Sequence, residues 1–130
     1  EVDTTTGVVD ILKLTIAMDM GIAVNPRNCE HQIKGAALWG ASQILSERLT
    51  MKNGAFEQSN FDTYLPIRLR QMFEIDVEIV ESGHHPSGVG EPSSTVVGPA
   101  VANAIFNAVG ARVRHMPITP DAVLRALTET

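Results

Sequence analysis

The 130-residue sequence has little cysteine and little positive charge. Cys29 is its single cysteine, which excludes an internal disulfide and a cysteine-based zinc or iron–sulfur site built from this chain alone. Ten Lys and Arg stand against fifteen Asp and Glu, giving a formal net charge of −5. Aromatic residues make up only 5% of the chain and no basic cluster interleaves with them. Nucleic acid is therefore not expected as a partner.

Long apolar runs are also missing. Lys13, Thr15 and Asp19 interrupt the most apolar early segment before it reaches the roughly 18 residues that a membrane span needs, so no span is predicted. The length and a hydrophobic content of 44% suit one core, and we expect residues 1–130 to form a single domain. The chain starts with neither methionine nor a basic targeting segment, which indicates a piece of a longer protein and leaves the compartment, cytoplasmic or periplasmic, open.

Alternation of apolar and polar residues predicts the strands. The pattern from Leu12 to Asp19 is typical of a strand with one buried face, and the pattern from Ile75 to Ile79 is typical of a second. Asn53-Gly54 predicts the tight turn of a separate short hairpin, formed by residues 49–51 and 55–56 after the first helix. A short strand is also expected over residues 112–116.

Helical spacing predicts two main helices rich in small residues. The first begins at Asn25-Pro26 or Asn28 and runs to about Leu49, and the second ends at Gly110. Glycines inside a helix cost up to about 1 kcal/mol each, which indicates close approach of another backbone or a ligand. A third helix follows Thr119-Pro120-Asp121. Without a regular βαβ repeat, the elements predict an α+β fold with a mixed sheet and two main helices.

Residues 82–94 are predicted as a loop, and within it Gly88-Val89-Gly90-Glu91-Pro92 is chemically unusual. Glycines let the backbone approach a ligand closely, while Pro92 fixes its own φ and predicts an extended Glu91. A carboxylate aimed in this way can act as a general base. The alternative is that Glu91 only caps the following helix and the glycines only make a turn. A phosphate-binding loop is disfavoured, because position 93 is serine rather than a third glycine and Pro92 lacks an N–H.

The order of several segments carries a family resemblance. Gly88–Pro92 follows Gln32-Ile33-Lys34-Gly35-Ala36 by about sixty residues, and the segments 19–26, 57–61 and 99–105 match in the same order. The chain thereby resembles the C-terminal part of the molybdenum-binding subunit of the xanthine dehydrogenase and aldehyde oxidase family of molybdenum hydroxylases. Within that family it is most similar to the β-chain of isoquinoline 1-oxidoreductase.

The resemblance implies the fold of the second molybdopterin-binding domain of aldehyde oxidases. It implies hydroxylation of an N-heteroaromatic or aldehyde substrate, with water as the oxygen source and Glu91 as the general base. No residue of the chain would coordinate the metal. The implied cofactor-binding residues are Gln32, Gly35, Ala36, Val89 and Gly90.

The resemblance also implies what lies outside these residues. The cofactor would be a molybdopterin, most simply the cytosine dinucleotide form, and 2Fe–2S clusters would sit on a partner subunit or domain. The expected partners are the remainder of the molybdenum-binding subunit, an iron–sulfur subunit and a small-molecule substrate. The chain by itself should not turn over.

Two positions depart from the family pattern. His31 stands where the family often has glycine, and Trp39 stands where a second glutamine is common. The altered helix and the short chain favour an alternative, a non-catalytic interaction module that keeps the fold. The retained Glu91 disfavours it.

The remaining reactive residues are assigned ordinary roles. Adjacent His84 and His85 point to opposite sides in an extended segment, so one metal cannot easily take both. His31 is expected on a helix surface and Cys29 as a bystander. Trp39 and Phe106 are predicted to be core residues, with a substrate channel as the alternative surrounding for Trp39.

Overall fold

The fold is described by a computed structural model covering residues 1–129. Residue 130, the end of the predicted domain, lies outside these described residues. The arrangement confirms the predicted α+β class with two main helices. The elements are β1 (Lys13–Asp19), α1 (Pro26–Leu45), β2 (Met51–Lys52), β3 (Ala55–Phe56), a 3-10 turn (Leu69–Gln71), β4 (Glu74–Val80), α2 (Pro92–Val109) and α3 (Pro120–Thr128).

Within the described residues the strands form two separate two-stranded sheets, one parallel and one antiparallel, and not the mixed sheet that was predicted. β1 and β4 are parallel and in register from Lys13 opposite Glu74 to Asp19 opposite Val80. β2 and β3 form the predicted antiparallel hairpin around Asn53-Gly54, both at positive φ. Because β1 and β4 run in the same direction, the segments that follow them leave at the same end of the sheet.

The core lies between the β1–β4 pair and the helices. Alternate residues of each strand face inward, while the acids of β4 stay exposed. The buried apolar residues of α1 form a stripe along one face of the helix, which packs against α2. The main buried side chains are Ile16, Ile33, Ala37, Ile44, Ile75, Val97, Val101 and Ile105.

Helices α1 and α2 approach at backbone distance. A Cβ atom placed on Gly40 would lie 2.6 Å from the Ser94 carbonyl oxygen, closer than real contacts allow. One turn along each helix, Gly98 faces the Ile44 side chain. The small residues of α1 therefore do admit a neighbouring backbone, as their helix-propensity cost indicated.

The helix ends follow the predicted signals with two changes. Asn25 caps α1 and Thr119 caps α3 through their side chains, and Gly110 ends α2 at φ 77°. Helix α1 stops at Leu45 rather than near residue 49, because the N–H groups of Ser46 and Glu47 both turn back to one carbonyl. The predicted loop 82–94 is shorter, since α2 already begins at Pro92.

Residues 112–116 do not form the predicted strand. Val113 is buried and its arginine neighbours are less buried, so the expected alternation is present. Within residues 1–129 no strand forms backbone hydrogen bonds with this segment. An extended segment without such a partner does not form a β-strand.

The prediction that Trp39 and Phe106 are core residues is wrong. Trp39 is 46% exposed and Phe106 39% exposed. Trp39 lies off the apolar stripe of α1, and the Arg112 guanidinium sits 3.6 Å from the centre of the Phe106 ring, in cation–π contact. Leu12 is also exposed, because β1 begins only at Lys13.

Candidate active site

The segment that carries Glu91 starts where the parallel strands end. β1 ends at Asp19 and β4 at Val80, and the segment from residue 81 to 91 runs from β4 to the start of α2. It is held on one side by the residues that follow β1 and on the other by the first turns of α1.

Asp19 joins the ends of the two strands. Its Oδ1 accepts the Gly21 N–H at 2.9 Å and the Ser82 hydroxyl at 2.8 Å. The Gly21 N–H first, and then the Ser82 hydroxyl, hold the pKa of the Asp19 carboxyl below its ordinary value, with a smaller contribution from the charge of His84. The carboxylate form of Asp19 is therefore the form that ties the two ends together.

Gly21 makes room for the same segment. Its φ is +78°, and a Cβ atom there would lie 2.4 Å from the His85 carbonyl oxygen and 2.6 Å from that of His84. Beside it, the Met20 carbonyl accepts the Ser87 N–H at 2.8 Å. Three consecutive residues at the end of β1 thus contact the segment between residues 82 and 87.

Helix α1 holds the other end. The Gln32 side-chain amide donates to the Gly90 carbonyl at 2.9 Å, across 58 residues of sequence. The buried Ser93 hydroxyl donates to the Ile33 carbonyl at 3.0 Å. The predicted cofactor helix and the predicted base are therefore brought together, because the residues on both sides of Glu91 are bonded to α1.

Glu91 occupies the N-cap position of α2 with its side chain exposed. The side chain makes no capping hydrogen bond within the described chain. Glu91 therefore stands at the capping position, as the alternative predicted, but its side chain does not cap the helix. Its backbone is at φ −127° and ψ −8°, so the predicted extended geometry is wrong. The reason is that the Glu91 carbonyl turns to accept both the N–H and the hydroxyl of Ser94.

The other predicted cofactor residues differ in access. A Cβ atom on Gly35 or on Gly90 would meet no atom within 4 Å among the described residues. Ala36 is buried with 4% of its surface exposed, so its side chain faces into the fold. Val89 is half-buried and packs against the core. Open space therefore lies beside the glycines, and not beside Ala36 or Val89.

In the described part of the chain, the side chains given ordinary roles add no further bonds to this site, although the backbone of His84 and His85 lies against Gly21. His31, His84 and His85 are exposed, and Cys29 is a free, half-buried thiol. Across residues 1–129 no group of three His, Cys, Asp or Glu side chains is arranged to hold a metal ion. None of the helices described there is both long and apolar enough to cross a membrane.

Sequence reasoning missed the contacts of Asp19, Gly21 and Ser82. A signal was present, because an acid two residues before a glycine at the end of a buried strand is a common turn that bonds its own backbone. The partner Ser82 had no such signal, since it lies 63 residues away.

The sequence matches a known family model over much of its length. Residues 1–73 match the model of the molybdopterin cofactor-binding domain. The chain belongs to the molybdenum hydroxylase family. The predicted family is confirmed, and Glu91 lies beyond the part that the model matches.

Curated relatives of this molybdopterin-binding domain align along nearly its whole length. A membrane-bound aldehyde dehydrogenase [pyrroloquinoline-quinone] of Gluconacetobacter polyoxogenes is 51% identical over 97% of the chain. One of the subunits of nicotinate dehydrogenase from Pseudomonas putida is 35% identical over 97%. The β-chain of isoquinoline 1-oxidoreductase from Brevundimonas diminuta is 31% identical over 85%. The chain spans only 16%, 11% and 14% of these proteins, respectively.

A solved structure shows the same fold. The carbon monoxide dehydrogenase of Oligotropha carboxidovorans superposes with a TM-score of 0.84 over 98% of this chain and 17% of its own, at 19% identity. The predicted likeness to molybdopterin-binding domains is therefore confirmed at the level of fold.

Proposed function

We propose that this chain supplies the general base, Glu91, and part of the cofactor wall of a molybdenum-dependent oxidoreductase. The substrate class is an aldehyde or an N-heteroaromatic compound, and water provides the oxygen atom. The observation that carries the proposal is the hydrogen bond from Gln32 to Gly90. The bond lies directly beside an exposed carboxylate, and its donor belongs to the helix within the matched cofactor-binding region.

The residues around this bond fit a flat, polar cofactor. Gln32 uses its amide nitrogen on Gly90, and its amide oxygen has no partner among the described residues, so it is free to accept a hydrogen bond from a pterin N–H. Gly35 and Gly90 leave open space in which a ring system can approach the backbone. The contribution of Ala36 is limited to its size, which lets α1 pack closely, and Val89 supports the loop from the core side.

The chemistry assigned to the chain is a proton transfer. Oxidation of an aldehyde by water gives a carboxylic acid, two protons and two electrons. The molybdenum cofactor, when bound, would supply the two-electron redox capacity and a Lewis acid. Glu91 accepts a proton from the water that becomes the new oxygen, because its carboxylate is exposed and unused by any capping bond.

Further parts of the proposal concern the complete enzyme. We propose that residues 1–130 form one domain at the C-terminal part of the cofactor-binding subunit, and that they are inactive without the remainder. The cofactor is the cytosine dinucleotide form, and electrons leave through 2Fe–2S clusters on a partner subunit or domain.

The first test measures the cofactor content of the complete enzyme and the source of the oxygen atom in its product. We expect molybdenum and molybdopterin in the protein purified through this chain, and one labelled oxygen in the hydroxylated product formed from an N-heteroaromatic substrate in H₂¹⁸O. Elemental analysis and mass spectrometry of the product provide the measurement. The name of one relative contains pyrroloquinoline quinone, and a protein that holds this group and no molybdenum would contradict the proposal. A protein without either group would favour the interaction module.

Gln32 provides a second test that does not depend on activity. In Gln32→Leu the Gly90 carbonyl loses its donor, but it is exposed and water can replace the bond, so the free energy of unfolding should fall by less than about 1 kcal/mol. We expect molybdenum per protein to fall several-fold, because the polar edge offered to the pterin is gone. Gln43→Leu, on the same helix, is the matched control. Equal molybdenum contents in the two variants would show that Gln32 does not bind the cofactor.

A further inference from the structure

We propose that Asp19 is a positioning residue for Glu91, and that it acts through Ser82 and through the turn at Gly21. The inference rests on the proposed role of Glu91 as base. It adds a second support for that base, at the end of the segment that leaves β4, which the family resemblance does not assign.

The segment before Glu91 is anchored at both ends. Asp19, Met20 and Gly21 contact it at residues 82, 84–85 and 87, and α1 binds it at Gly90. Between these anchors, within residues 1–129, no backbone hydrogen bond joins Gly88 or Val89 to a strand or a helix. A Cβ atom on Gly88 would meet nothing within 4 Å there. The bonds to α1 at Gly90 and Ser93 hold Glu91 directly, and the first anchor adds to them by fixing where the segment enters the stretch that leads to Glu91.

Asp19 is the part of the first anchor that a substitution can remove cleanly. A single oxygen, Oδ1, bonds the turn of its own strand and the hydroxyl of Ser82. Met20 contributes only a carbonyl to the Ser87 N–H, and Gly21 contributes only the absence of a side chain. Loss of the carboxylate should release Ser82 while leaving the buried core in place.

The size of the effect follows from the sensitivity of catalysis to placement. A misplacement of about 1 Å can cost about 100-fold in rate. Because the α1 anchor remains, we expect a smaller loss, about tenfold in kcat for Asp19→Ala, with KM and molybdenum content within about twofold of the wild type. Asp19→Asn keeps an acceptor oxygen and should recover most of the loss. Ser82→Ala, an exposed change that leaves β1 intact, should lower kcat in the same direction.

Asp3 provides a matched control. Its Oδ1 also accepts two backbone N–H groups of a turn, from Thr5 and Thr6, and it has no bond to the segment 82–91. Asp3→Ala should leave kcat unchanged. The comparison separates loss of an aspartate-capped turn from loss of this particular anchor.

The experiment combines kinetics with hydrogen exchange on the complete enzyme. We expect deuterium uptake in the peptide covering residues 82–91 to rise in Asp19→Ala and Ser82→Ala but not in Asp3→Ala, together with the fall in kcat. Faster exchange with unchanged kcat would overturn the positioning role. So would unchanged exchange, or equal losses in Asp19→Ala and Asp19→Asn. If Glu91→Gln retains full activity, the proposed base is wrong, and the exchange result then reports on the anchor alone.

Discussion

Exchanging Glu91 for glutamine is expected to lower kcat of the molybdenum-loaded enzyme by about 10²–10⁴-fold, the usual contribution of a general base. Glutamine keeps the size of the side chain but cannot take up a proton at neutral pH. The molybdenum content should stay unchanged, because the bond from Gln32 goes to the carbonyl of Gly90 and not to the Glu91 side chain. Steady-state kinetics beside elemental analysis makes the measurement.

The control for this substitution is Glu78→Gln. Glu78 lies on β4 and has no hydrogen bond to the segment 81–91. Its exchange should leave kcat unchanged. If Glu91→Gln lost molybdenum and activity together, Glu91 would be structural, and the proposed division of labour between cofactor and base would fail.

Gly40→Ala should lower the free energy of unfolding by about 1–3 kcal/mol, the usual cost of overpacking a tight contact. The new methyl group would meet the Ser94 backbone at 2.6 Å, and backbone cannot rotate away as a long side chain can. Alanine is the better helix former by up to about 1 kcal/mol, which offsets only part of the cost. Denaturant unfolding of the chain provides the measurement.

The same helix offers a matched control in Gly35→Ala. Among the described residues nothing lies within 4 Å of a Cβ atom at Gly35, so only the gain in helix propensity remains, up to about 1 kcal/mol. The two substitutions, identical in chemistry, should therefore move the unfolding midpoint in opposite directions. A stabilised Gly40→Ala would show that α1 and α2 can separate at no cost. In the complete enzyme Gly35→Ala should also lower cofactor content, if the space there is used by the cofactor.

Local features of the chain were predictable from the sequence. Alternation located β1 and β4, the Asn53-Gly54 pair located the hairpin, and Gly110 ended α2, because each depends on neighbours within a few residues. The core prediction for Trp39 was wrong because it rested on the residue type alone, whereas the position of Trp39 lies off the apolar stripe of α1.

The geometry of the site was predictable only in part. The resemblance named Gln32 and Glu91, and the structure brings their segments together, but their roles stay predictions. The contact between Asp19 and Ser82 depends on the parallel pairing of two strands, and alternation does not state which strands pair. The predicted extended conformation of Glu91 was wrong, because the preference imposed by Pro92 is weaker than the two hydrogen bonds that Ser94 donates to the Glu91 carbonyl.

The parallel pairing of β1 with β4 also bears on the order of folding. Lys13 and Glu74 are 61 residues apart, and such non-local contacts form only after a long loop has closed, whereas α1 consists of local contacts. Every anchor of Glu91 likewise joins residues that are far apart in the sequence. Glu91 is therefore expected to be among the last residues to reach its final place when the chain folds.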